Sequence, residues 1–150
     1  MKQYRIILQV FVIALSTFCL VSCKGGLLDN AASVAPSNMA GKTMKVDGAT
    51  IHFTSNTSGT ISDYIGTSTR SSVSYQRTSS MEAKLSFSYH TEDGYSMSER
   101  SYSLTLVFAD ETQGLASGSY TYSSIIAKGT KYESKSSGSQ NVKNKIFTVN

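Results

Sequence analysis

The chain has no tryptophan, a single proline, two cysteines and two histidines in 150 residues. Each scarcity removes something. Without tryptophan, the large aromatic surface must come from nine tyrosines and six phenylalanines. The one proline, Pro36, lies early, so everything downstream can donate to a sheet ladder without interruption. The cysteines, Cys19 and Cys23, sit four residues apart near the N-terminus, which excludes a disulfide framework and a cysteine-based zinc site. His52 and His90 have no spaced acidic cluster to join, so no metal set is expected. Charged residues are only 16%, with no basic block and no aromatic-plus-arginine pattern, so nucleic acid is not an expected partner. Serine is so abundant that a Ser-His-Asp count carries no information, and no catalytic constellation or cofactor motif emerges. The chain is not expected to be an enzyme.

What is present begins with an address. Lys2 and Arg5 form a short positive region, followed by a mostly apolar run from Ile6 to Leu20 that Gln9, Ser16 and Thr17 interrupt. That run is too short for a comfortable spanning helix and fits a secretory leader. Its end, Leu20-Val21-Ser22-Cys23, resembles the lipobox of bacterial lipoproteins at every position. Cys19 is the poorer candidate, because Phe18 before it is bulky. The resemblance implies cleavage after residue 22 and acylation of Cys23 with palmitate-type chains. Two or more chains give stable anchoring, where one gives marginal binding. The expected location is therefore the cell envelope, lipid-anchored, in the outer membrane if the cell is Gram-negative, with either leaflet open. The membrane is the one partner expected outright; nothing fixes an oligomeric state.

Three segments follow: residues 1–22 as signal peptide, 23–38 as a lipidated flexible tether, and 39–150 as a single β domain. The tether reading rests on Gly25-Gly26, Pro36 and a lack of sustained periodicity. From Gly41 onward, Ser, Thr and Tyr dominate and turn residues recur. Asp47-Gly48 is a strong two-residue hairpin turn. Folding there pairs Met44 with Ile51 and Val46 with Ala49, with Phe53 on the same face and His52 on the other. Ala83, Leu85, Phe87 and Tyr89 alternate in the same way, as do Tyr102, Leu104, Leu106 and Phe108. Ala116, Gly118, Tyr120 and Tyr122 share a further face. More strands are expected near Thr60–Tyr64, Val73–Arg77, Lys131–Ser134 and Val142–Val149. Phe53, Leu85, Phe87, Leu104, Leu106 and Phe108 should be buried, and His52 and His90 exposed.

A weak repeat links the two halves. Ile51-x-Phe53-x-x-x-Thr57-x-Gly59 recurs as Leu106-x-Phe108-x-x-x-Thr112-x-Gly114, at a constant offset of 55. Two halves of about four strands predict an all-β fold, an eight- or nine-stranded antiparallel barrel, with a two-sheet β-sandwich as the alternative. Gly41-Lys42-Thr43 and Ile51-His52-Phe53-Thr54-Ser55-Asn56-Thr57-Ser58-Gly59-Thr60 resemble the repeated units of small lipoproteins from Bacteroidota-type bacteria. That resemblance implies a lipocalin-like (calycin) barrel and no activity. Lys24-Gly25-Gly26 departs from the acidic surface-export signal of that phylum, and an aspartate of the enteric retention type is also missing after Cys23.

Asp110-Glu111 and Glu92-Asp93 read as solvated turn acids, the first matching no EF-hand spacing. The tyrosines carry the functional expectation. Small Ala116 and Gly118 face the same side as large neighbours on the adjacent strand, predicting a gap unless the core fills it from across. The candidate ligand site is Tyr102, Leu104, Gly118, Tyr120 and Tyr122, suited to a small apolar or amphipathic molecule. The alternative is a filled barrel whose Ser/Thr-rich outside contacts a glycan or another envelope protein.

Overall fold

In the computed structural model the described residues are 34–150; the leader, Cys23 and the first part of the tether lie outside them. Eight antiparallel strands form one sheet: β1 (Thr43–Val46), β2 (Ala49–Ser55), β3 (Ser58–Ser62), β4 (Arg70–Arg77), β5 (Glu82–Glu92), β6 (Ser96–Asp110), β7 (Gln113–Ile126) and β8 (Ser134–Val149). The order β3-β2-β1-β8-β7-β6-β5-β4 is an up-and-down meander whose first and last strands pair with each other. The sheet therefore curls into a nearly closed barrel. A two-sheet sandwich is not formed. The seam falls between the sequence neighbours β3 and β4, where Tyr75 N donates to Asn56 O at 2.7 Å and Ser71 Oγ to Gly59 O at 3.1 Å.

The Asp47-Gly48 turn has φ of 46° and 84°, the double positive φ of the tight hairpin turn that matches strand twist. The resulting register, Met44↔Ile51 and Val46↔Ala49, is the one the alternation required. All six expected core residues are buried, joined by Ile61, Phe147 and Val149. His52 is exposed, with Nδ1 2.9 Å from Thr43 Oγ1.

His90 differs from expectation. Its parity is outward as read, yet only 8% of it is exposed. Long neighbours on the outer wall cover it: Glu99 Oε1 lies 3.2 Å from Nδ1, and Glu92 Oε2 lies 3.6 Å from Nε2. Parity decides which face a side chain takes, and the length of its outer neighbours decides whether water reaches it.

The sequence repeat is a structural one at hairpin level. Phe53 pairs with Gly59 and Phe108 with Gly114, each with a bulge immediately after the phenylalanine. At the bulge, Ser55 Oγ accepts Thr57 N in one copy and Asp110 Oδ1 accepts Thr112 N in the other. Each glycine is required by close approach: a Cβ would lie 2.5 Å from His52 O at Gly59 and 2.1 Å from Val107 O at Gly114. The repeat does not extend to four strands per half. The expected strand at Lys131–Ser134 is not formed, since residues 131–133 lie in a loop; β8 instead starts at Ser134 and runs 16 residues through the expected Val142–Val149, so its hairpin partner β7 is correspondingly long.

All connections of even-to-odd order lie at one barrel end with the N-terminal segment, and the others lie at the far end. The near end is plugged by residues expected to be tether. Ala35 and Met39 are buried at 1% and 0% exposure. Asn56 brackets the segment, accepting Met39 N at 2.7 Å and donating to Ser37 O at 2.9 Å. Tyr75 Oη donates to Pro36 O at 2.8 Å, and burial of that phenol pushes its pKa up to about 12. The packed domain thus includes Val34–Asn38, because Asn56, Tyr75 and Ser80 O satisfy a backbone that would otherwise need water. Asn56→Ala is expected to lower stability by about 1–3 kcal/mol, since two hydrogen bonds go at once. Thermal melting should fall by several degrees, and limited proteolysis should open the chain at residues 34–39.

Candidate functional site: a polar mouth on a filled barrel

The inward face changes character along the barrel axis. Near the plugged end it is apolar: Leu85, Leu106, Phe108 and Phe147, the last two meeting edge-on at 4.8 Å. Midway it becomes an aromatic stack. Phe87 lies 4.4 Å from Tyr102, and Tyr102 lies 4.9 Å from Tyr120, all near parallel. Tyr122 continues the row at 6.0 Å. Beyond it the register sets Ser71, Tyr89, Arg100 and Tyr122 side by side, then Thr91, Ser98 and Ser124. These inward positions are polar and face the far end.

The five residues expected to form a pocket are placed as follows. Tyr102 and Leu104 are buried, at 2% and 3% exposure. Tyr120 is half-buried, its hydroxyl donating to Gln140 Oε1 at 2.9 Å. Tyr122 is half-buried beside Gly138. Gly118 does not floor a gap. A Cβ there would lie 2.1 Å from Ser103 O and 3.0 Å from Leu104 Cα, and its φ is +154°. Phe147, paired with Gly114 on the adjacent strand, packs into the space that Gly114 leaves. Small residues here permit close approach of strands, and the middle of the core is filled. The structure groups Tyr102, Tyr120 and Tyr122 with Arg100, leaves Leu104 in the core, and sets Gly118, itself exposed, against the β6 backbone.

Arg100 is the centre of the far mouth. It is half-buried, and its Cζ sits 5.7 Å from the Tyr64 ring centroid. Its guanidinium lies close to the hydroxyls of Tyr89 and Tyr102, near enough to bear on their titration, yet neither contact has the geometry of a formed hydrogen bond. Tyr102 Oη instead reaches Asp47 Oδ2 at 3.4 Å. Burial pushes the Tyr102 phenol up to about 12 and the Tyr89 phenol higher still. Among the described residues, no carboxylate comes within ion-pair reach of Arg100. Asp63 is engaged elsewhere, accepting Ile65 N at 2.9 Å and Thr91 Oγ1 at 3.3 Å. Four buried polar atoms gather at this end without a partner: Tyr89 Oη, Ser98 Oγ, Arg100 Nε and Ser68 Oγ. Exposed tyrosines stand on three far-end loops, Tyr64, Tyr95 and Tyr132.

Sequence reasoning passed over Arg100 and Ser98, and put Tyr89 on the inward face without including it in the candidate ligand site. The signal was available. Extending the Tyr102–Phe108 alternation backward puts Arg100 and Ser98 on the apolar face, where a charge and a hydroxyl stand out.

A concavity of about 560 Å³ opens along β4–β7 at this mouth, with the inward row Ser71–Tyr89–Arg100–Tyr122 at its middle. The rows on either side, Ser72–Ser88–Ser101–Thr121 and Arg70–His90–Glu99–Ser123, complete its lining. Serines continue beneath as Ser74–Ser86–Ser103–Ser119. Asp110 and Glu92 are turn acids. The Asp110 carboxylate accepts the Thr112 hydroxyl, the Gln113 amide and Thr112 N, which holds its pKa down to about 2. Glu92 bonds Lys128 across the far end. No grouping of three metal-binding side chains occurs among the described residues.

No protein-family model, no curated protein and no solved structure matches this chain.

Two stability outcomes follow from this geometry. Gly118→Ala should cost about 1–3 kcal/mol, because a methyl group meets backbone that cannot yield cheaply. Arg100→Met should melt no lower than the parent, and up to about 2 kcal/mol more stable, since it removes a half-buried charge that has no counter-ion. Denaturant titration of both variants checks the pair.

Proposed function

We propose that the protein is a lipid-anchored lipoprotein of the cell envelope that acts as a binding module. The ligand is a small amphipathic molecule, and it is taken at the far mouth of the barrel rather than in a central cavity. The observation that carries this reading is the set of unpartnered buried polar atoms around Arg100. Each such atom costs about 1–3 kcal/mol when nothing meets it. Folded proteins tolerate this where another molecule completes the bonding. The aromatic rows of Tyr102, Tyr120 and Tyr122 supply the apolar side of the same mouth.

The anchor fits this placement. Val34 lies eleven positions after Cys23, a stretch that spans at most about 36–40 Å. Val34 joins the barrel at the plugged end, so an anchor on Cys23 would hold the domain from that end. The role we infer is non-enzymatic. The one histidine–hydroxyl pair, Thr43 with His52, is solvent-exposed and has no third group to orient it.

A second reading has its own observation. The outer serine rows, with Arg70 and Glu99 on their border, offer a hydroxyl-rich face of both donors and acceptors to a glycan.

Cys23→Ser should move the protein out of the membrane fraction or stall it as an uncleaved precursor; unchanged membrane attachment and mass would refute the anchor. Native mass spectrometry of protein from its own host should reveal an added small mass. Ligand-free protein that instead binds polysaccharide would favour the outer wall.

A further inference from the structure

We propose that the mouth recognises its ligand through a single carboxylate, which docks on the guanidinium of Arg100 with Tyr89 Oη and Ser98 Oγ as flanking donors. This rests on the mouth being the binding site and adds the chemical class of the ligand.

The geometry narrows that class in steps. Tyr89 is 3% exposed and Ser98 1% exposed, and both hydroxyls lack a partner. Water alone would satisfy hydroxyls. It would not neutralise a half-buried guanidinium, and buried charges in folded proteins are paired. The partner missing here is an anion. The guanidinium N–H can only donate and each hydroxyl can donate, so one acceptor group would meet all three. A planar carboxylate matches the guanidinium fork with two parallel bonds.

The surroundings argue against a doubly charged group. Among the described inward side chains of the mouth Arg100 is the one cation, and Arg70 borders the same concavity from the adjacent outward row. Asp63 lies close enough to Tyr89 to raise its phenol, and Asp47 reaches Tyr102. Lys145 is spent on Asp47, at 3.9 Å, and Lys128 on Glu92. One positive charge flanked by two carboxylates suits a monoanion and repels a phosphate dianion. The body of the ligand would lie on the faces of Tyr64 and Tyr122, which are flat and partly open. The predicted ligand class is a small monocarboxylate with an aromatic or apolar body.

The test uses the full lipidated protein in neutral detergent. Benzoate, phenylacetate and hexanoate are titrated by calorimetry against benzamide, inorganic phosphate and sulfate. At least one carboxylate should bind saturably, about tenfold or more tighter than benzamide. Arg100→Met should abolish that binding and Arg100→Lys weaken it about tenfold, because an ammonium cannot make the fork. Ser98→Ala and Tyr89→Phe, each removing one orphaned hydroxyl, should weaken binding while leaving the melt unchanged or higher. They keep the test valid even if a change at Arg100 disturbs folding. Equal binding of benzamide, binding that survives Arg100→Met, or preference for phosphate or sulfate overturns the proposal. Failure of every carboxylate probe does the same. Native mass spectrometry separates the two levels: a neutral bound molecule lost in Tyr122→Ala would keep the mouth and sink the carboxylate, whereas ligand-free protein would sink both.

Discussion

Four residues make this sheet a barrel. β1 runs only from Thr43 to Val46, yet it pairs with β2 on one side and β8 on the other. Its two inward side chains, Met44 and Val46, face Val149 and Phe147 across the closing pair. Without that pairing, the β1–β3 ribbon would separate from the five-strand meander and expose two edges. The Asp47-Gly48 turn sets the register of β1 on β2, and any slip by one residue would turn Met44 and Val46 outward. Closure, register and burial of Phe147 and Val149 therefore stand or fall together. The seam between β3 and β4 is tolerable because the two strands are also joined through the chain.

Much of this was legible because side-chain period and turn chemistry are local. Asp47-Gly48 fixed one hairpin, and alternation fixed the inward sets of β2, β5 and β6. The repeated Phe and Gly positions turned out to mark one device used twice, a bulged hairpin whose glycine accepts the neighbouring carbonyl at close quarters. What was not legible depends on neighbours across strands. His90 was read correctly for face and wrongly for burial, since its cover comes from Glu92 and Glu99. Residues 34–38 looked like linker because their order comes from Asn56 and Tyr75, which no local pattern connects to them. Gly118 looked like missing volume because a single strand does not reveal how closely the next strand's backbone approaches.

The two ends of the barrel are built to opposite purposes. At the plugged end the backbone of Val34, Ala35, Pro36, Ser37 and Met39 is met by side chains or carbonyls of the domain. At the mouth, side chains with inward parity are polar and several remain unmet. A sequence optimised only for folding would continue Leu106, Leu104, Tyr102 into another apolar residue at position 100. Arginine there conflicts with local consistency, and such conflicts concentrate where a protein does something besides fold. The aromatic stack from Phe87 to Tyr120 explains why the conflict is affordable: the core below is closed and does not depend on the mouth.

The filled core also changes what kind of binder this barrel can be. A hollow barrel of eight strands holds a ligand inside and selects it by length and shape. Here the stack of Phe87, Tyr102 and Tyr120 closes the interior, so a ligand reaches only the outermost rows. Selection must then come from a few strong directional contacts rather than from enclosure. A lone guanidinium with two oriented hydroxyls is a sharp discriminator of this sort, because a molecule lacking the matching acceptor leaves all three unmet. Shallow seating also favours fast exchange, since little of the ligand is enclosed. Placed at the end opposite Val34–Met39, such a mouth can open and fill without disturbing the packing of the plugged end.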